Sequence, residues 1–521
     1  MSVKIPRSNA SDSTTDYMNC TTDESNSNPV RSEGPGSGGR AVGVLILLVL
    51  MACVTETLGQ ESDWKQIHSI PLHTFTPQVP KRVELPNGLV LLLQEDHELP
   101  LIRGEALIRG GSREEPAGKA GLVEILGEVW RTGGTKSKTG DQLDDYLEGR
   151  AAKVESAGGR DSTSLSWDCL KENFDDVFKL FLEVLREPEF RAEKISLAQN
   201  QVNTSISRRN DSPFQIASRE AFKLVYGADS PYARVPEYST VSAVGREDLL
   251  NWHQSHVAPN NIILGVVGDF DSSNMEGKLR EAFGGWAKGA ATAKRQDTFK
   301  GPKPGTYFVP KDDVTASTVQ MVDLGTTRDN PDFYAIEVFN EFFGGSFSSR
   351  LFSNIRSKKG LAYSVSGGVG ADYDHPGVLR LFMGTKSGTT AAAIDAFNEE
   401  LDALKTNPVR PEELAKAKDS ILNSFIFRFD SKDKVLKEQM TYENYGYPAD
   451  TLERYRAGIE KVTQADVTRV AQKYMHKDKL ALLVVGKAAD FDRPLSTFGP
   501  VTTLDISIPE PEVKKPNAPL P

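Results

Sequence analysis

Two glutamates one helical turn apart are the residues here whose spacing most directly suggests chemistry. They lie in Gly121-Leu-Val-Glu-Ile-Leu-Gly-Glu-Val-Trp-Arg-Thr-Gly-Gly-Thr135, which reads as the start of an amphipathic helix. Val123, Leu126 and Trp130 fall near one face, and Glu124 and Glu128 share another. An i,i+4 pair is the spacing with which a helix offers two ligands to one metal ion, with a general base between them. Here both ligand positions hold carboxylates, and the position that would carry the base is Gly127. The stretch is therefore a metal site, a lost metal site or a helix with two solvated glutamates. Two carboxylates hold a hard cation weakly. Zinc prefers imidazole and thiolate, and takes about three protein ligands with one position left open.

The elements that must position this helix follow from periodicity. Arg82–Leu85 and Leu89–Gln94 are apolar runs around Pro86-Asn-Gly88, a hairpin signal. Leu101–Arg109 is a further strand, and helix is predicted over 119–131. A polar helix at Thr139–Gly149 and strands at Ala151–Ala157 and Asp161–Asp168 come next, the strands separated by Gly158-Gly159. Helices follow at Asn173–Arg186, Arg191–Arg209, Pro213–Tyr226 and Arg246–His256, before a buried strand at Asn261–Gly268. After a linker at 289–305 the pattern restarts, with strands at Tyr307–Pro310 and Ser317–Leu324 and a helix at Pro331–Phe343. A helical start at Ser349–Arg356, strands at 363–370 and 377–385, and helices at 389–405, 411–428, 433–446 and 450–459 complete it.

The chain repeats itself. Val244–Gly268 aligns with Val462–Gly486 at a constant offset of 218 residues, each copy a helix, a polar turn and an apolar strand ending Val-Val-Gly. Two copies of one α/β unit, each the size of an ordinary domain, account for this. They span 80–288 and 306–490, followed by a Pro-rich, extended tail at 500–521.

Composition sets outer bounds. With 521 residues, 38% apolar and 26% charged, the sequence is that of a multi-domain globular protein with polar extensions. A net charge of −10 and the lack of a long basic stripe argue against a nucleic-acid role. Residues 1–60 are a polar, aperiodic lead plus one apolar run, Ala41–Val54, preceded by Arg40. Fourteen uncharged residues are short for a membrane span and suit the core of a secretory signal. Three readings stay open: a cleaved signal whose true start lies downstream of Met1, an uncleaved anchor, or a bacterial lipoprotein with Cys53 lipidated. The other cysteines are Cys20 and Cys169. Only Cys169 lies in the folded part, so no disulfide framework or cysteine zinc site is available, and Cys169 is expected to be a buried structural thiol.

From about Val83 to Gly486 the sequence resembles the pitrilysin/insulinase family of zinc metallopeptidases, in particular its mitochondrial-processing-peptidase-like bacterial type. The resemblance rests on Ala106-Leu-Ile-Arg-Gly-Gly-Ser-Arg-Glu-Glu through Ala120-Gly-Leu, on Arg131-Thr-Gly-Gly-Thr135, on Arg208-Arg-Asn-Asp-Ser-Pro213 and on the stretch ending Asp271. Its most specific part is Ser348-Ser-Arg-Leu-Phe-Ser-Asn-Ile-Arg-Ser-Lys-Lys-Gly-Leu-Ala-Tyr-Ser-Val365. The family's zinc motif is His-x-x-Glu-His, with a glutamate ligand further on. Alignment puts Glu124 and Glu128 on the two histidines, Gly127 on the catalytic glutamate and Ser205, 77 residues beyond Glu128, on the third ligand. All four positions have departed from the motif. His253 and His256, i,i+3 on a helix, fall where the other repeat has Ala471 and Tyr474, and read as structural.

The family's other active-site half is present. An arginine and a tyrosine seven residues apart, which in the family contact the substrate backbone and the tetrahedral intermediate, match Arg356 and Tyr363. A guanidinium and a phenol can both donate to a developing oxyanion. The resemblance implies an α+β fold of two homologous α/β-roll domains, each an antiparallel-rich sheet packed with helices, together forming a half-clamshell. It further implies a subunit inactive alone and without a cofactor of its own, while the apolar run 41–54 points to an exported protein of the bacterial periplasm or cell envelope. A zinc-bearing paralogue would complete a heterodimer acting on short, unfolded peptides. Such peptides are expected to add as a strand to an edge such as Ala106–Ser112. The alternatives are an inert assembly subunit of a membrane complex, and a peptidase using a non-standard metal through Glu124 and Glu128.

Overall fold

The computed structural model describes residues 78–290 and 297–510, all within one compact unit, Phe75–Pro521. The apolar run 41–54, Cys20, Cys53 and the end of the tail lie outside the described residues. No helix among the described residues is long and apolar enough to cross a membrane.

The first half opens with β1 (Lys81–Glu84), β2 (Val90–Glu95) and β3 (Leu101–Arg109). Helices α1 (Leu122–Thr132) and α2 (Gly140–Glu148) precede β4 (Lys153–Gly158) and β5 (Ser162–Leu170). Then come α3 (Phe174–Arg186), α4 (Ala192–Arg208), α5 (Pro213–Tyr226), the short α6 (Tyr238–Ser242) and α7 (Arg246–His256). The half closes with β6 (Ile262–Gly268) and α8 (Ser272–Phe283). The second half runs through β7 (Gly305–Pro310), β8 (Ala316–Leu324), β9 (Thr326–Thr327) and α9 (Phe333–Asn340). It continues with β10 (Ser364–Val369), β11 (Ala371–Asp372), β12 (Val378–Lys386), α10 (Thr390–Thr406) and α11 (Pro411–Phe425). It ends with α12 (Lys432–Tyr445), α13 (Thr451–Lys461), α14 (Gln464–Tyr474), β13 (Ala481–Gly486) and β14 (Val501–Thr503).

Each half builds one six-stranded mixed sheet. The orders are β1-β2-β6-β3-β5-β4 and β10-β12-β8-β13-β7-β14. Apart from the outer strands β1 and β14 the two are the same arrangement, β2-β6-β3-β5-β4 matching β7-β13-β8-β12-β10. Helices α7 and α14 are displaced by the same 218 residues as the sequence repeat. The tail departs from the expectation of unpaired extended chain at its start: Val501–Thr503 pairs parallel to β7, and the Leu504 amide donates to Phe308 O at 2.8 Å.

β6 and β13 show no polar alternation because both faces are covered. On β6, Ile262, Leu264 and Val266 join the first core with α1, α3 and α7, while Ile263 and Val267 face the other way. Those two pack with Val90 and Leu92 against Leu436 and Met440 of α12, a helix of the second half. The exchange is reciprocal. On β13, Leu482 and Val484 join the second core, while Ala481, Leu483 and Val485 pack with Val309 and Val322 against Ile216, Ala217, Ala221 and Val225 of α5, a helix of the first half. A Cβ at Gly265 would stand 2.3 Å from Met440 Sδ, so the helix seats directly on the strand. Ion pairs follow the same seam: Arg82 to Glu443 at 2.8 Å, and Arg113 to Asp374 at 2.9 Å.

Interlocked halves should unfold together. A single cooperative urea transition is expected, and Met440→Ala should lower stability by about 2–5 kcal/mol, the usual cost of truncating a buried methionine. Two separated transitions in circular dichroism would contradict the interlock.

Candidate functional site

The zinc-motif positions all lie on helices of the first half. A buried glutamate starts α1: the Glu115 carboxylate accepts from the Gly121 and Val123 amides at 3.0 and 3.1 Å. Gly121 has φ of +100°, a conformation that strongly favours glycine, so the chain can turn into the helix there. At the far end Trp130 is fully buried and donates from Nε1 to Val184 O at 2.9 Å. Glu124 and Glu128 project from the exposed side. Surrounding protein on the flanks of this face still raises the Glu124 carboxyl above its ordinary value. Ser205 is exposed on α4, with its hydroxyl turned back onto Gln201 O at 3.2 Å.

Gly127 is buried. A Cβ placed on it would lie 2.1 Å from Gly158 N and 2.8 Å from Ala157 C, and one on Gly158 would lie 2.0 Å from Val123 O. Ser156 Oγ donates to Gly127 O at 2.5 Å and accepts from the Arg131 amide. The helix therefore rests backbone to backbone on β4, where a side chain at 127 would have to stand. The second half makes the same contact: a Cβ on Gly344, just beyond α9, would lie 2.5 Å from both Gly367 N and O on β10. Periodicity picked out the helix but missed this contact, whose signal is the glycine at each end of it.

The structure also corrects the expected peptide edge. β3, which contains Ala106–Arg109, pairs antiparallel with β5 on one side and β6 on the other, so it offers no free edge. Pleat alternation cannot tell a central strand from an outer one. The open edge beside α1 is β4.

Arg356 and Tyr363 lie side by side. Arg356 sits in a π-helical segment, Phe352–Lys358, and Tyr363 leads into β10 with its amide donating to Gly384 O at 2.9 Å. The guanidinium carbon lies 4.6 Å from the Phe352 ring centre and 5.7 Å from that of Tyr363. No carboxylate pairs with Arg356 among the described residues. Tyr363 is 85% exposed, and Phe347, edge-on to Phe352, is 82% exposed.

The segment is held from below by Arg350, which sequence reading passed over. Its guanidinium pairs with Glu413 (Nε–Oε1 3.0 Å, Nη2–Oε2 2.7 Å) and donates to Asn407 O and Pro408 O. Burial works against the Glu413 charge, but hydrogen bonds from Arg350 and Arg410 bring it down to about 2. Asn354 adds a bond to Glu400 at 2.8 Å.

Two matches with known proteins bear on this arrangement. The description "Insulinase (Peptidase family M16)" matches residues 94–226, which hold Glu124, Gly127, Glu128 and Ser205. The description "Peptidase M16 inactive domain" matches residues 243–421, which hold Arg356 and Tyr363. The chain belongs to the M16 peptidase family. Among M16 relatives, an "Uncharacterized zinc protease YmxG" of Bacillus subtilis is 22% identical over 78% of this chain and 98% of its own length. A "Probable inactive metalloprotease YmfF" of the same organism is 24% identical over 46% of this chain and 55% of its own length. A solved M16 inactive domain from Pseudomonas fluorescens superposes with a TM-score of 0.71 at 22% identity, covering 78% of this chain and 98% of that one. A protease from Helicobacter pylori gives 0.69 at 21%, covering 78% and 100%.

The zinc that the M16 fold implies does not fit the residues present here. Among the described residues no three His, Cys, Asp or Glu side chains gather as a ligand set. Glu124 and Glu128 have Ser205 where a third ligand would stand, and the general-base position is filled by β4 backbone. The histidines are used otherwise. His253 is buried against Trp130, its Nε2 2.8 Å from Leu185 O, and His256 stacks on Trp252 at 3.9 Å. Cys169 is a buried thiol, pushed up to about 12 chiefly by burial.

Gly127→Glu should therefore destabilise the chain rather than restore a base. At least 1–3 kcal/mol is expected from overpacking against backbone, read as a lower thermal midpoint. An unchanged midpoint would mean that β4 yields freely. The Arg350–Glu413 pair gives a pH test. Its stabilisation is complete above pH 4.5, the ordinary value, and is lost as pH falls through about 2. Glu413→Gln should cost about 3 kcal/mol at pH 7, and the gap to wild type should close on acidification toward pH 2.

Proposed function

We propose that this chain is the Arg356/Tyr363-bearing, zinc-less subunit of a heterodimeric metallopeptidase that degrades or processes peptides. The observation that carries the reading is the contrast between the two sites. The first has its base position filled by packing. The second presents a guanidinium, unpaired with any carboxylate among the described residues, beside an 85% exposed phenol on a firmly anchored segment.

The partner is a zinc-bearing paralogue, whose metal would supply the activated water. This chain's own part is electrostatic. Arg356 and Tyr363 donate hydrogen bonds to the carbonyl oxygen as it gains negative charge, and hold the substrate backbone in line. Phe352 fixes the guanidinium by stacking, so little rotamer freedom is lost when substrate arrives. Substrates are short, unfolded peptides, and β4 is the edge to which an extended segment would add. The apolar run 41–54 supports an exported protein of the bacterial periplasm or envelope, tethered through that run or through Cys53 if the segment is retained.

The test is co-expression with a family member that keeps His-x-x-Glu-His. The pair should cleave unstructured peptides and neither chain alone should. Arg356→Ala and Tyr363→Phe should each reduce kcat by about 100-fold to 1,000-fold, the usual effect of removing one oxyanion donor. Undiminished hydrolysis by the double variant would overturn the assignment. Stable docking into a larger membrane complex without peptide turnover would make the chain an assembly subunit. Stoichiometric zinc in the purified chain would make it a peptidase in its own right.

A further inference from the structure

A cavity whose lining includes neither Arg356 nor Tyr363 lies where the start of α9 meets the end of α11 and the facing turns of α12 and α13. Its volume is about 260 Å³. Aromatic rings form a large part of its wall. Phe425 and Tyr455 are stacked with centres 5.5 Å apart, nearly parallel, and Phe333 and Tyr373 stand on neighbouring sides. Burial raises the Tyr455 and Tyr373 phenols, so these rings are neutral at physiological pH.

Two guanidinium groups border the same space. Arg328 lies 4.2 Å above the Tyr373 ring and 5.7 Å from that of Phe333. Arg428 lies 5.8 Å from that of Tyr455. Other arginines of the seam are paired with carboxylates: Arg82 with Glu443 and Arg113 with Asp374. Arg454, on the rim of this cavity, is held by Asp450 at 2.9 Å. Arg328 and Arg428 pair with no carboxylate among the described residues. The Arg328 Nε is shut off from solvent and meets no acceptor. A buried charged donor left without an acceptor is unfavourable. The two carboxylates on the wall do not relieve it. Glu438 is engaged by the Tyr442 hydroxyl, and Asp329 is exposed on the rim.

Two cationic groups over a floor of neutral rings repel a cation and leave a purely apolar ligand with the Arg328 Nε still unanswered. They match a flat apolar body that carries one anionic group. A planar carboxylate suits the guanidinium fork, and an aromatic ring suits the floor. We propose that this cavity binds an aromatic carboxylate: an aromatic ring with a free carboxyl group a few bonds away. The C-terminal aromatic residue of a peptide and a free N-acylated aromatic amino acid carry the same chemistry. The site stands apart from the proposed peptidase role and needs no partner subunit.

Isothermal titration of the purified full chain tests it, with N-acetyl-L-phenylalanine, its C-terminal amide, inorganic phosphate and an unstructured heptapeptide ending in phenylalanine. The acid should bind saturably and the amide at least tenfold more weakly, since it lacks the charge that meets the arginines. Arg328→Gln and Arg428→Gln should each weaken the acid about tenfold. Arg428 is exposed, so its variant keeps the fold and carries the test if Arg328→Gln does not express. Binding of the peptide alone would support the proposal and assign the cavity to chain ends; binding of both would assign it to the terminal residue. Equal affinity for acid and amide, phosphate binding as tight as the acid, or an unchanged Arg428→Gln would overturn it.

Discussion

The reciprocal cover of the two sheets is the constraint on which the rest depends. Strands β6 and β13 are apolar on both faces, and each half supplies helices for only one of them. The open face of the first sheet, Val90, Leu92, Ile263 and Val267, is closed by Leu436 and Met440 of the second half. The open face of the second is closed by α5 of the first. Separated, each half would expose a contiguous apolar face to water, which soluble domains avoid. The two halves thus form one frame, and the positions of α1 and of the Arg356 segment are fixed relative to a common core.

Within that frame the departure from the zinc motif has a packing consequence. In both halves the helical segment after β3, or after its counterpart β8, meets the outer strand through a glycine pair, Gly127 with Gly158 and Gly344 with Gly367. A glutamate at 127 would need the space that Gly158 occupies. A glycine at 127 and the close approach of strand to helix are two sides of one contact: without a side chain the backbones close up, and once closed they exclude one. Both halves make this contact in the same way.

Much of this was legible in the chain because it is written in local or repeated patterns. The alternation of 3.6-residue and 2-residue periods marks the helices and strands, and the 218-residue offset marks two similar halves. What the pattern could not carry was sequence-distant pairing. That α12 crosses to the first sheet is invisible, since its apolar face, Leu436 and Met440, reads the same whatever it covers. Ala106–Ser112 reads as an edge for a similar reason: alternation reports that one face is buried, not how many neighbours a strand has. In sequence Arg350 is one more charge in its stretch, and only the fold reveals Glu413 beneath it.

Arg350 and Arg356 make the functional argument sharper because they share a segment and chemistry yet are treated oppositely. Arg350 has both edges of its guanidinium occupied, by a carboxylate and two carbonyls, with Phe342 below it. That is an arginine consumed by folding. Arg356, two turns on, has its flat faces steadied by Phe352 and Tyr363 while its hydrogen-bonding edge meets no carboxylate. Folding stability gives little reason to hold a charge in that state, or to leave Tyr363 and Phe347 more than four-fifths exposed beside it. An acceptor that arrives from outside, such as a peptide carbonyl turning into an oxyanion, gives such a reason. It would find donors already oriented by a framework that the same sequence stretch nails down six residues earlier.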